Sequence, residues 1–241
     1  MVIVGRISRP RLSNRRQIIL LTRRSILQAM LFSGVASAAA PDKTAVRSVR
    51  IGVVNNSSIS IDQFIIDAIQ RQLNEHILPV WRVTADLYLS APDDGSSPDY
   101  TCQIFDETDI PGNMGYHGVD DTGCPFAKVF PATIARAGLE LSTMLSHEIV
   151  EMIVDPWGNR SVLYDCGDST GALYAMEVCD PVQGNTYQID GVTVSDFVTP
   201  QYFQRSAKAP FDFLGILQAP FTPAPSGSQK LMLVGQLGTW L

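Results

Sequence analysis

Glutamate is scarce in this chain. Of its 24 acidic residues among 241, only six are glutamates: Glu75, Glu107, Glu140, Glu148, Glu151 and Glu177. There are three histidines (His76, His117, His147) and four cysteines, and no two cysteines have the C-x-x-C spacing of a zinc knuckle. No G-x-S-x-G elbow, phosphate-cradling glycine loop or EF-hand spacing occurs, which removes serine-hydrolase, nucleotide-loop and calcium-loop readings. The first 40 residues contain no acid and seven of the 18 basic residues. The remaining chain therefore carries 11 basic against 24 acidic residues, 13 negative charges net. An acidic body excludes a nucleic-acid groove and an anionic membrane surface, both of which need basic patches. It suits cation binding. No internal repeat is evident, and the length and apolar share fit one globular domain with a sizeable core.

The basic leader reads as a targeting segment. In "TRRSIL" (Thr22 to Leu27) paired arginines precede a moderately apolar stretch, Ile26 to Ala40, that ends in "VASAAA". The pattern resembles a twin-arginine export signal, with cleavage near Ala38 to Ala40. The stretch is too short and too rich in Ala, Ser and Gly for a stable membrane span. Residues 1–40 are thus expected to be a cleaved signal and the protein to be periplasmic or extracellular. In an exported chain, Cys102, Cys124, Cys166 and Cys179 suggest disulfides, with three pairings open and Cys102–Cys124 plus Cys166–Cys179 the short-loop choice.

Along residues 41–241 the pattern predicts an α+β order. "VRSVRIGVVNN" (Val46 to Asn56) is a strand. Ser60 with Gln63 forms a capping box for a helix from Ile61 to about Leu78, stopped by Pro79. "RVTADLYLS" (Arg82 to Ser90) and "YTCQIFD" (Tyr100 to Asp106) are further strands. "PFAKVFP" (Pro125 to Pro131), with flanking prolines and a central Lys128, suits a sheet edge. "TYQIDGVTVSDFV" (Thr186 to Val198) is a hairpin turning at Asp190-Gly191. "APFTPAPSGSQ" reads as a surface loop and "KLMLVGQL" (Lys230 to Leu237) as a last strand.

The chemistry concentrates in "STMLSHEIVEMIVDP" (Ser142 to Pro156). At a spacing of four, His147 and Glu151 leave the same face of a helix with Cβ atoms about 5–6 Å apart, close enough to share one ion. Glu148 is offset by one position, a second carboxylate beside the pair. Apolar Met144, Leu145, Ile149, Val150, Met152, Ile153 and Val154 surround them, so the helix should be buried. Buried ionisable groups must then find a metal or be paired, because unpaired buried charge is expensive. The competing reading makes Glu148 and Glu151 a solvated stripe and His147 a core histidine. With glutamate so rare, a histidine followed by both acids arises by chance on the order of once in several hundred such chains.

"SHEIVEMIVDP" resembles the zincin metallopeptidase signature H-E-x-x-H with Glu151 in place of the second histidine. Together with "EVCDP" and "GVTVSDFVTP" (Gly191 to Pro200) it is also similar to uncharacterised bacterial and phage-encoded proteins. The zincin likeness covers roughly residues 46 to 180. It implies a zincin-like α+β fold: a mixed, twisted sheet with its edge strand above the motif helix (41–155), then a small β-rich lower part (156–241). It further implies a divalent metal, zinc first and calcium or manganese as alternatives, held by His147, Glu151 and a third ligand. Glu177 in "YAMEVCDPV" stands where the thermolysin-like branch keeps that ligand. Asp155 is the other choice or an orienting residue, and Asp180 an orienting residue. Glu148 would be the general base of peptide hydrolysis, and the backbone around Phe126, Ala127 and Lys128 would pair with an extended peptide substrate. Loss of one imidazole makes the site harder and more negative. A catalytically silent envelope or phage-associated binding protein with a structural ion is the rival class. His117 in "GYHGVDD" lies ahead of the edge strand, from where it could approach the cleft, but a lone loop histidine usually faces solvent; His76 reads as a residue of a helix C-terminus.

Overall fold

Ile51 and Val53 are fully buried, and they place the first strand, β1 (Arg47–Asn55), inside a sheet. The computed structural model describes residues 47–91, 95, 97–165 and 170–234. The expected export segment, Cys166 and the end of the expected last strand lie outside these residues. β1 is followed by α1 (Gln63–Gln72), a π-turn (Leu73–Ile77), the short α2 (Leu78–Trp81) and β2 (Val83–Ser90). The crossover brings β2 parallel to β1, the connection that parallel strands require. β3 (Tyr100–Ile104), β4 (Gly115–Val119) and β5 (Pro125–Val129) complete a five-stranded sheet in the order β2-β1-β3-β5-β4. All neighbours are parallel except β4 and β5, so the sheet is mixed.

The short α3 (Pro131–Arg136) leads into α4 (Leu141–Val154), which carries the motif. Every residue of α4 from Ser142 to Val154 is buried. A helix apolar on nearly all sides must be enclosed, and α4 packs against β4 and β5 of the sheet on one side and β9 (Val192–Ser195) on the other. Its last turn ends at Asp155, which leaves helical geometry ahead of Pro156.

Beyond α4, β6 (Ser161–Asp165), β7 (Gly171–Ala175) and β10 (Leu231–Val234) form an antiparallel sheet in the order β10-β7-β6. β8 (Thr186–Ile189) and β9 form the expected hairpin. Asp190 and Gly191 both have positive φ (51° and 83°), as a type I′ turn demands. One continuous apolar cluster runs from Ile51 to Ala224, so both parts share a core. The architecture is α+β. No described helix is long and apolar enough to cross a membrane.

Several local expectations are corrected. Ser60 does not cap α1; Asp62 is the N-cap, with no side-chain hydrogen bond. Pro79 does not stop the helical segment. The π-turn precedes it, and Pro79 sits in the first turn of α2, where its missing N–H costs nothing. The strand carrying Lys128 is not an edge: β5 is paired with β3 and β4, and β4, for which the sequence shows no strand pattern, is the edge on that side. Cys102 and Cys124 are unbridged, as is Cys179. Cys102 pairs in register with Ala127, three residues beyond Cys124, an offset of roughly 10 Å along the strand that no disulfide spans. The Pro/Ser-rich loop is not merely surface. Its Ala224 and Ser228 amides donate to the Pro181 and Asp180 carbonyls, and a Cβ at Gly227 would run into Pro181.

The "GVTVSDFVTP" run has a structural role. Asp196 is fully buried, accepts the Phe197 and Leu214 amides at 2.8 and 3.3 Å, and faces buried Asp212, which accepts the Ile216 and Leu217 amides. Burial, reinforced by the neighbouring Asp212 carboxylate and only partly offset by the amides, pushes the Asp196 carboxyl up to about 8. The folded protein therefore keeps a proton that the unfolded chain releases near pH 4. Between about pH 4 and pH 8 this pair should lose stability as pH rises, with a slope approaching 1.4 kcal/mol per unit, roughly. Urea unfolding across this range should show that the stability difference between the natural chain and Asp196→Asn changes with pH. A constant difference would refute a proton retained on Asp196.

Candidate metal centre

Helical spacing puts His147 and Glu151 one turn apart on α4, and their side chains meet: His147 Nε2 lies 3.4 Å from Glu151 Oε2. Glu151 is oriented from outside the helix. Its Oε1 accepts the backbone N–H groups of Cys179 and Asp180 at 3.0 and 3.1 Å. That leaves Oε2 directed at the imidazoles. Asp180 opens a 3₁₀ turn (Asp180–Val182), and its Oδ1 stands 3.4 Å from His147 Nε2. The turn is held from behind by the 224–228 loop, whose Ser226 hydroxyl also donates to the Gln183 carbonyl at 2.6 Å.

The sheet edge supplies the other wall. Alternation along β4 turns Gly115 and His117 toward α4, while Tyr116 points away to donate to Asp109. His117 Nδ1 is 3.6 Å from Glu148 Oε2 and 3.7 Å from Glu151 Oε2, and its Nε2 is 3.6 Å from Glu177 Oε2. At Gly115 a Cβ would lie 2.8 Å from Glu148 Oε1, so only glycine leaves that carboxylate its place. Lys230, at the start of β10, reaches Glu177 at 2.9 Å and Asp180 at 3.7 Å. The groups line a cleft of about 250 Å³ bounded by Gly115, Tyr116, Met144, Gln183 and Ser228.

These separations matter. Two ligand atoms about 2.0–2.1 Å from one ion at a tetrahedral angle stand roughly 3.3 Å apart. The observed 3.4–3.7 Å is longer than a charge-assisted hydrogen bond and close to that edge length. Two sets of ligand atoms fall within 4.8 Å of one another: His147, Glu151 and Asp180, and His117, Glu151 and Glu177.

Electrostatics point the same way. Burial alone would push the His117 imidazole down, yet Glu148, Glu151 and Glu177 outweigh it and raise it to about 9. His147 is raised well above its ordinary value against its burial by Glu151, Asp180 and Glu148. Burial is the main cause that lifts Glu151 to about 7, opposed by His147 and reinforced by Asp180 and Glu177. For Asp180 burial favours the neutral acid, but His147 and Lys230 prevail and hold it below the usual carboxylate range. The cleft is a well of negative potential that draws positive charge onto its nitrogens.

No family model, curated protein or solved structure matches this chain. The geometry alone carries the reading of the site.

Of the residues singled out in the sequence, His147, Glu148, Glu151, Glu177 and Asp180 converge. Glu177 arrives on the His117 side, and Asp180 takes the place beside His147. Asp155 belongs to neither set: its carboxylate accepts the Asn159 and Arg160 amides at 3.2 and 2.7 Å, closing the turn after α4. Phe126, Ala127 and Lys128 do not offer a free edge. Ala127 is fully buried, Lys128 pairs with Asp109 at 2.6 Å, and Phe126 packs edge-on against Tyr116. His76 bonds the Tyr187 hydroxyl and stacks on Phe213, a packing role. His117, read as a solvent-facing loop residue, Lys230, read only as part of a last strand, and Gly115 are site residues that the sequence does not single out. The one local signal is the turn chemistry of Asp120-Asp121-Thr122-Gly123, a hairpin loop closed by Asp120 and Cys124, because the strand before it has no apolar pattern of its own.

The Gly115–Glu148 contact is testable. Gly115→Ala should cost about 1 kcal/mol of stability by crowding, and that cost should vanish in a Glu148→Ala background. A double-mutant cycle by urea unfolding measures this coupling. Additive effects would show that the two residues do not touch.

Proposed function

We propose that this chain is a metal-dependent hydrolase, a peptidase of zincin-like kind, with a divalent cation held by His147, Glu151 and Asp180. The observation that carries the reading is the division of labour in Glu151. One oxygen is committed to the Cys179 and Asp180 amides, and the other faces His147 at 3.4 Å. A carboxylate held in this way resembles a ligand oriented by its outer shell more than one half of an ion pair. The bound cation would polarise a water molecule and lower its pKa. Glu148, adjacent on the helix and facing the cleft beneath Gly115, is placed to take the proton from that water. His117, 3.6 Å from Glu148, holds the second wall and fixes where that carboxylate points.

The substrate edge moves with the fold. Among the described residues no strand pairs with the outer edge of β4, and Gly115, Tyr116 and His117 line the cleft. An extended peptide can add there as a further strand. Zinc is the first metal to test, and the carboxylate-rich donor set also suits manganese or calcium. The leader supports an exported protein, so the substrate class is an extracytoplasmic peptide or protein.

Metal analysis of the purified protein, with cleavage assays on casein and a peptide library, tests the reading. The natural chain should retain zinc through dialysis, and His147→Ala should lose it. Glu148→Gln should keep the metal and lose on the order of 10²–10⁴-fold in turnover. Protein expressed with zinc available that carries no metal would sink the proposal. Bound metal without turnover under zinc, manganese or calcium would leave the rival class, a silent fold with a structural ion.

A further inference from the structure

We propose that the cleft holds two cations, bridged by Glu151, the second lying between His117 and Glu177. This inference rests on the reading above that the cleft binds metal at all. Its starting observation is a pair of atoms that the first site leaves unexplained. His117 Nε2 and Glu177 Oε2 are buried, face each other at 3.6 Å, and have no hydrogen-bond partner. The His117 side chain is 4 % exposed. Buried polar atoms without partners are costly and uncommon. The available mobile partner, Lys230, is spent on the other Glu177 oxygen.

His117, Glu151 and Glu177 each offer a ligand atom within 4.8 Å of the other two, the same criterion met by His147, Glu151 and Asp180. The two sets have only Glu151 in common. Its free Oε2 lies 3.4 Å from His147 Nε2 and 3.7 Å from His117 Nδ1, the ring nitrogen other than the Nε2 that faces Glu177. With its sister oxygen locked by two amides, Glu151 would bridge the two cations through Oε2 alone. The ligand class is a pair of divalent first-row cations with nitrogen and carboxylate donors, spaced about 3.5–4 Å as in two-metal hydrolases.

The experiment counts metals on the full chain. After loading with manganese or zinc and dialysis, elemental analysis should find two equivalents per chain, and manganese-loaded protein should show the spin-coupled resonance of a paired centre. His117→Ala and Glu177→Gln should each retain one equivalent and lose the coupling, His147→Ala should also retain one, and Glu151→Ala should lose both. Circular dichroism identifies any variant that fails to fold, and the resonance of the natural chain then decides alone. A single equivalent in the natural chain, unchanged in His117→Ala, overturns the second site and leaves the proposed function standing. A single equivalent lost in both His117→Ala and His147→Ala also overturns it, because one ion would then be held from both walls. No metal in the natural chain removes both readings.

Discussion

The burial of Glu151 is the constraint from which the rest of the site follows. A carboxylate in the middle of a fully buried helix must be compensated. Here the compensation comes from a different part of the chain, the amides of Cys179 and Asp180. Those two bonds dock the Glu177–Val182 segment against α4 and so deliver two more acids to the cleft. They also decide which Glu151 oxygen remains free. Substituting an uncharged residue here would cost more than a ligand, because it would also release the segment that carries Asp180.

Around that anchor the fold works as two jaws. The edge hairpin β4–β5 supplies His117 and the glycine that leaves room for Glu148; the second sheet and its loops supply Glu177, Asp180 and Lys230. Neither jaw is neutral. Four carboxylates are gathered against Lys230 and the two imidazoles that they hold charged, so a cation that enters takes the place of protons on His117 and His147. The Asp196–Asp212 pair, behind the hairpin that floors α4, solves the same problem differently, by retaining a proton. One buried acid pair takes the amides of Phe197, Leu214, Ile216 and Leu217 and leaves Asp196 Oδ2 without a partner, while the other acids open on a cleft with imidazole nitrogens. That contrast is the physical case for reading the cleft as a site and the pair as structure.

Much of the fold was legible because its signals are local. β1, β2, β3, the motif helix and the Asp190-Gly191 hairpin announce themselves through β-branched content, apolar periodicity and turn chemistry. β4 was not legible: "GYHGV" contains two glycines and no alternation of apolar and polar residues, and it is a strand because β5 pairs with it. The same pairing removed Phe126, Ala127 and Lys128 from the edge, since a strand's neighbours are not written in its own residues. Pro79 misled for a related reason, because a π-turn before it absorbed the break that a proline usually imposes.

That His147 and Glu151 share one face of a buried helix with Glu148 beside them follows from residue order alone, because helix geometry sets that relation within one turn, whatever surrounds it. What they face depends on the packing of distant elements. His117 lies 30 positions before His147 and Asp180 lies 29 after Glu151, and no local propensity brings such residues together. Strand order, the docking of an amide pair onto Glu151 and a missing Cβ at Gly115 do so. Packing between elements therefore turned a two-ligand motif into a six-residue cleft, because contacts across long sequence separations are set by the whole core and not by any segment of it.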